Sequence, residues 1–280
     1  MLSRFLSTIG LWFVVFATLY LFGVQGGFFL LILASILTQL ELYALLKKME
    51  YNSLGWVGLI IGVVMLIVPI FLSSPYDCFE VMVSCFVISI VLILSYIVVV
   101  GTPSSILEVF VPTVLGIVYV PLMFSLPVAF IRYIEFIHGS GNPALYMIVW
   151  MVAVAKSSDI GGLVIGSLIG GKKMSPYFSP NKTVGGLVGA ILFAVTIGAT
   201  AQLVMMRNLG VFSMKWAVII SAVLSLVAVV GDLIESALKR LANVKDSGKI
   251  IPGIGGVFDL TDSVVLSLPV GIILVKWLVL

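Results

Sequence analysis

Charge is scarce in this chain, and that scarcity excludes most of what a 280-residue protein can be. Only 10% of the residues are Asp, Glu, Lys or Arg, where a soluble domain carries about a quarter. Histidine occurs once, at His138. Set in the segment IRYIEFIHGSGN, which reads as an outer loop, it disfavours both a zinc site and a Ser-His-Asp triad. Cysteine occurs twice, and Cys78 and Cys85 stand about two helical turns apart in one apolar run. That spacing disfavours a disulfide, and both read as small apolar packing residues. The formal net charge of +3 is too small to argue for a nucleic-acid partner. No long linker and no low-complexity tract interrupts the chain. No pair of matching broken helices marks two transporter-like halves.

What is present is apolar surface. The hydrophobic share is 61%, gathered in runs long enough to cross a bilayer. Runs such as FVVFATLYLFGV and VISIVLILSYIVVV do not alternate in polarity, which excludes a membrane β-barrel. The fold class is therefore all-α, a polytopic integral membrane protein. About nine transmembrane helices are expected, at roughly 5–23, 27–46, 54–72, 79–100, 105–131, 144–170, 184–206, 214–238 and 263–279. The first run is long and has no small-x-small cleavage site before Gln25, so it reads as a retained span. The run at 105–131 holds Pro112, Pro121 and Pro127, and is either a kinked span or a re-entrant pair.

Basic residues orient these spans. With the N-terminus cytoplasmic, the inner side holds Arg4, Lys47, Lys48, Lys172, Lys173, Lys182, Lys239, Arg240, Lys245 and Lys249. The outer side holds Arg132, Arg207, Lys215 and Lys276, an asymmetry that the positive-inside rule expects. The expected location is the cell (inner) membrane, with the active site facing the cytoplasm. Residues 1–140 form N-terminal membrane helices. Residues 141–280 form the catalytic part, with cytoplasmic loops at 171–183 and 239–262.

Polar chemistry is crowded after Lys156. The first block is SSDIGGLVIGSLIGGKKMSPYFSPNKTVGG, 157–186. Asp159 lies in an apolar span three residues after Lys156, so the two either neutralise one another or mark a functional site. Gly161, Gly162 and Gly166 read either as helix packing or as ligand approach. Gly170 and Gly171 read as a helix end. Gly166 to Lys172 fits G-x-x-x-x-G-K, but Lys173 stands where a P-loop has Ser or Thr and no strand precedes it. Lys172, Lys173, Ser175, Ser179, Lys182 and Thr183 supply ammonium and hydroxyl groups suited to phosphate oxygens.

The second block runs from VVGDLIESALKR to the end of SALKRLANVKDSGKIIPGIGGVFDLTDS. Asp232, Glu235 and Lys239 recur on one helix face, with Ser236 beside them. Lys245, Asp246 and Lys249 follow, then Gly253, Gly255 and Gly256, then Asp259 and Asp262. Magnesium takes a few carboxylates and leaves positions for substrate phosphate oxygens. Asp232, Asp259 and Asp262 are the candidate metal ligands, and an N-cap role explains one of the last two equally well.

These blocks resemble the phosphatidate cytidylyltransferases, also called CDP-diacylglycerol synthases. The first follows that family's pattern at Asp159, Gly166, Gly170, Lys173, Pro176, Ser179, Pro180, Lys182, Thr183 and Gly186. The second follows it at Ser236, Lys239, Arg240, Lys245, Asp246, Gly248, Pro252, Gly255, Gly256, Asp259 and Asp262. Ile254 stands where the family has His, Leu260 where it has Arg, Leu163 where Tyr is common, and Gly185 where Glu or Gln is common. The resemblance implies that CTP and phosphatidic acid give CDP-diacylglycerol and pyrophosphate. It implies a magnesium cofactor, with scope for a second cation. Asp246, Lys239, Arg240 and Lys245 are then catalytic. Asp159, Lys173, Ser179, Lys182, Thr183, Ser236, Gly255 and Gly256 then bind substrate. The expected partners are those two substrates and membrane lipids, with a second copy of the chain as a candidate. An ion-coupled transporter using Lys156, Asp159 and Asp232 is the alternative of a different class, and another CTP-dependent lipid kinase or nucleotidyltransferase is the alternative among enzymes.

Overall fold

The computed structural model describes residues 2–72, 74–100, 106–206 and 213–279. Arg207 and the side chain of Arg4, both used to orient the spans, lie outside the described residues.

The helices follow the apolar runs. The first, α1, spans Leu2–Lys48 and breaks helical geometry at Gly23, so two expected spans form one kinked run. Next come α2, Gly55–Phe71, and α3, Pro75–Val100. The proline-rich run is continuous rather than re-entrant. It passes through a π-turn at Ile106–Phe110, α4 at Val111–Ile117, a second π-turn at Val118–Leu122 and α5 at Met123–His138. A proline ring crowds the carbonyl of the preceding turn, and widening the turn relieves that clash at Pro121. His138 is in the last turn of α5, not in a loop, because the helix continues until Gly139 turns left-handed at φ 70°.

Then follow α6, Asn142–Ile169, and a small hairpin of β1, Lys173–Ser175, and β2, Ser179–Thr183. The chain continues with α7, Val184–Ala201, a π-turn at Gln202–Met206, α8, Met214–Leu241, and α9, Phe258–Leu278. Seven helices among the described residues are long and apolar enough to cross a membrane. The expected nine become seven because the first two share α1 and the third, α2, has only 17 residues.

The chain divides into two compact units. One comprises Met1–Gly141 and Leu241–Thr261, the other Asn142–Arg240 and Asp262–Leu280. In the first, Ile61, Met65, Ile93, Ile97 and Ile117 form a buried apolar cluster. Tyr43 Oη donates to the Thr113 carbonyl at 3.0 Å, and Gln39 Nε2 donates to the Gly58 carbonyl at 3.0 Å. These bonds satisfy polar groups far from water, tying α1 to α2 and α4.

In the second unit, α6 and α7 pack through glycines. A Cβ on Gly161 would lie 2.5 Å from both the Gly189 carbonyl oxygen and Phe193 Cβ, and one on Gly166 would lie 3.1 Å from Gly186 Cα. Gly161 and Gly166 are thus packing positions, whereas a Cβ on Gly162 would make ordinary contact, 3.5 Å from the Gly186 carbonyl oxygen. Gly161→Ala is expected to lower the melting temperature in detergent, at a cost of about 1–3 kcal/mol from overpacking. An unchanged melting temperature would show that the two backbones can part cheaply. As expected, Gly170 and Gly171 end α6, at φ 64° and 105°. The loop at 171–183 folds as the hairpin, pairing Lys173 with Thr183 and Ser175 with Ser179. Thr183 then N-caps α7, accepting from Gly186 N at 3.1 Å.

Candidate functional site

The second unit gathers charge that its apolar helices would otherwise exclude. Asp232, Glu235, Ser236 and Lys239 come from the last turns of α8, Lys156 and Asp159 from α6, Lys182 from β2, and Asp262 and Ser263 from α9. Close backbone approach makes this convergence possible. A Cβ on Gly231 would collide with the Asp262 carbonyl oxygen and lie 3.4 Å from Ser263 Cα. Glycine at 231 therefore lets α8 and α9 meet, carrying Asp232 and Asp262 to the same point.

Asp232, Glu235 and Asp262 each offer one carboxylate oxygen, and these oxygens lie within 4.8 Å of one another. Three hard oxygen donors at that spacing suit magnesium, whose bonds are about 2.0–2.1 Å and whose remaining positions are kept for water or phosphate oxygens. Small side-chain movements suffice to close the set on an ion. The donor chemistry fits the expected cofactor, with Glu235 as a third member that the sequence left unassigned.

Each lysine in the cluster leans on a carboxylate. Lys182 Nζ is 2.5 Å from Asp232 Oδ2, and Lys239 Nζ is 2.6 Å from Glu235 Oε2. Lys156 Nζ bridges Asp159 Oδ2 at 3.1 Å and Asp262 Oδ1 at 3.2 Å, and donates to Ser263 Oγ at 2.7 Å. Ser263 completes a ring by donating to Asp159 Oδ2 at 2.9 Å. Ser236 Oγ makes a long 3.5 Å contact to Asp232 Oδ1. Four carboxylates against three ammonium groups leave one negative charge. Burying so many ions is a poor way to gain stability, and charge gathered inside apolar helices makes this cluster the candidate functional site.

The other expected site residues divide. Lys173 and Arg240 are exposed in the second unit, and Ser179 lies half-buried in β2. Lys245 and Asp246 are exposed in the first unit, on the loop between α8 and α9. Asp259, also in that unit, is committed to local backbone. Its Oδ2 accepts from Ser247 N at 3.0 Å and Gly256 N at 2.7 Å, and lies 2.9 Å from Ser247 Oγ, whose one proton it shares with Glu41. This is not the N-cap role weighed for one of the two aspartates, because Asp259 lies inside α9 and accepts from amides that precede the helix. Gly255 sits at φ 131°, and a Cβ there would meet the Asp259 carboxylate, so only glycine fits.

Glu41 was not legible as a site residue. It is 6% exposed on α1 and accepts from Val257 N at 3.0 Å, Phe258 N at 2.8 Å and Ser247 Oγ at 2.9 Å. The signal for it was a lone carboxylate in the apolar run LTQLELYALL. These bonds also explain why α9 begins at Phe258 rather than near 263. The free amides of its first turn already have acceptors.

The model of the family described as the cytidylyltransferase family matches residues 2–278. Among curated relatives, the phosphatidate cytidylyltransferase of Bacillus subtilis (strain 168) is 33% identical over 229 residues, covering 80% of this chain and 79% of that protein. The phosphatidate cytidylyltransferase of Staphylococcus aureus (strain COL) is 28% identical over 248 residues, covering 88% and 89%. The one from Staphylococcus epidermidis (strain ATCC 12228 / FDA PCI 1200) is 36% identical over 124 residues, covering 44% of each chain.

Proposed function

The chain belongs to the cytidylyltransferase family, and from that membership we infer that it transfers CMP from CTP to phosphatidic acid, releasing pyrophosphate and forming CDP-diacylglycerol. It is an integral membrane transferase of phospholipid biosynthesis. The observation that carries the inference is the meeting of Asp232, Glu235 and Asp262 with Lys156, Lys182 and Lys239, in the part of the chain where the family pattern is densest.

In the reaction, an oxygen of the lipid phosphate forms a bond to the α-phosphorus of CTP. The bond from that phosphorus to the bridging oxygen of the β-phosphate breaks, and pyrophosphate leaves. Asp232, Glu235 and Asp262 would hold the divalent cation. When bound, that ion supplies Lewis-acid neutralisation of the phosphate charge. Lys182 and Lys239, which here rest on Asp232 and Glu235, would supply the ammonium groups that pair with phosphate oxygens. Asp159 shares Lys156 with Asp262 and sets its direction. Lys173, Ser179, Thr183, Ser236 and Arg240 surround the nucleotide and the lipid headgroup in this reading. Lys245, Asp246, Gly255, Gly256 and Asp259 form a second phosphate-directed element, with Asp259 holding the loop instead of a metal. The catalytic work is assigned to 141–280, and the basic loops at 171–183 and 239–262 support a site facing the cytoplasmic side of the inner membrane.

Purified protein with magnesium and labelled CTP is expected to make lipid-linked CMP with phosphatidic acid, and none with dolichol. Folded protein that makes no such product across several divalent ions would sink the assignment. Product with dolichol instead would move it to another lipid class.

A further inference from the structure

We propose that Glu41 is a positioning residue for the substrate-directed loop that ends at α9, holding that loop from α1. The inference rests on the cytidylyltransferase reading for its kinetic test, and on the structure alone for the clamp itself.

Glu41 lies outside both motif blocks, yet it holds the end of the second. Oε1 accepts from Val257 N, while Oε2 accepts from both Phe258 N and Ser247 Oγ. Ser247 Oγ stands 2.9 Å from Glu41 Oε2 and 2.9 Å from Asp259 Oδ2. Through this hydroxyl the two carboxylates grip the start and the end of one loop. Asp259 takes the amides of Ser247 and Gly256, and Glu41 takes those of Val257 and Phe258. The loop between them carries Gly253 and Gly255, and Asp246 flanks it.

Two motif glycines are explained by the same clamp. A Cβ on Gly248 or on Gly256 would run into the Glu41 carboxylate, and one on Gly256 would also meet Ser247 Oγ. These positions are small because a buried carboxylate from a distant helix fills the space a side chain would take. Gly256 thus serves the clamp, whatever contact its backbone makes with substrate. A carboxylate with acceptors on both sides is the one group that fits. An amide offers acceptors on one side only and turns its NH2 toward donors on the other.

Glu41→Gln separates this role from a purely structural one. Hydrogen exchange at the amides of 255–258 is expected to quicken by about tenfold or more, with protection in α6 and α7 unchanged. Steady-state assays should show kcat/KM per folded protein falling about 10–100-fold, the cost of misplacing a positioning group. Wild-type exchange with wild-type kinetics would overturn the proposal, as would a loss of turnover that only tracks a loss of folded protein. Should Glu41→Gln fail to fold, Ser247→Ala carries the test. It leaves both backbone donors in place, so a smaller loss of kcat/KM per folded protein is expected, and unchanged kinetics would overturn the clamp. If wild-type protein makes no CDP-diacylglycerol, the functional reading falls, and the exchange measurement still decides the clamp.

Discussion

Asp232→Asn is expected to lower CMP transfer by about 10³-fold, the scale seen when a group that neutralises transition-state phosphate charge is lost. Two losses combine in that substitution. The carboxylate trio drops to Glu235 and Asp262, and Lys182 loses a partner at 2.5 Å. The magnesium concentration giving half-maximal rate should rise at the same time. A loss below about tenfold, with unchanged magnesium dependence, would remove Asp232 from the metal site.

A structural role for the Lys182–Asp232 pair predicts something different, and a double variant tells the two apart. Breaking a partly buried pair from one side leaves an uncompensated charge, whereas removing both partners does not. Asp232→Asn with Lys182→Met should therefore melt near the wild-type temperature. Turnover should stay at the level of the single variant, because an amide and a thioether replace neither the metal ligand nor the phosphate partner. Recovery of turnover together with stability would mean that the pair only holds the fold.

Helix positions were legible because apolar runs of bilayer length that do not alternate in polarity can span lipid only as helices. The lengths of individual helices were less so. Gly23 breaks α1 without ending it, and α5 continues through Arg132 and Glu135 to His138. Arg132 and Glu135 pair with one another, and Arg132 Nη2 also donates to the Leu72 carbonyl, so these charges can lie within a helix. At the site, Asp232 and Lys239 were legible from a shared helix face, and Glu235 was visible on that face without an assigned role. The pairing of Lys156 with Asp262 spans about a hundred residues, and no local pattern encodes it. Glu41 was hidden for the same reason. A carboxylate in an apolar run announces that it has a partner, and the fold alone says which one. Asp259 and Asp262 looked equivalent at a spacing of three, but Asp259 turns back on the amides before its helix while Asp262 faces α6 and α8.

Lys156→Met is expected to unsettle the second unit more than any other single change at the site. The lysine lies between Asp159 and Asp262 on a mostly buried side chain, 22% exposed, with Asp262 at 9%. Without it, two carboxylates share one apolar neighbourhood with no cation between them. Removing one partner of such a set costs about 3–5 kcal/mol, a fall in melting temperature on the order of 10 °C. Asp159→Asn added to Lys156→Met removes one of those charges, and Ser263 Oγ can still bond the amide that replaces it. The double variant should recover most of the melting temperature. Because the lysine reaches carboxylates and a hydroxyl, its work is to hold Asp262 in place, so turnover should return to within about tenfold of wild type once the charge is balanced. Stability that recovers while turnover stays abolished would assign Lys156 to the substrate phosphates instead. No recovery of either would show that the ring of Lys156, Asp159, Asp262 and Ser263 is held by its geometry and not by its charge.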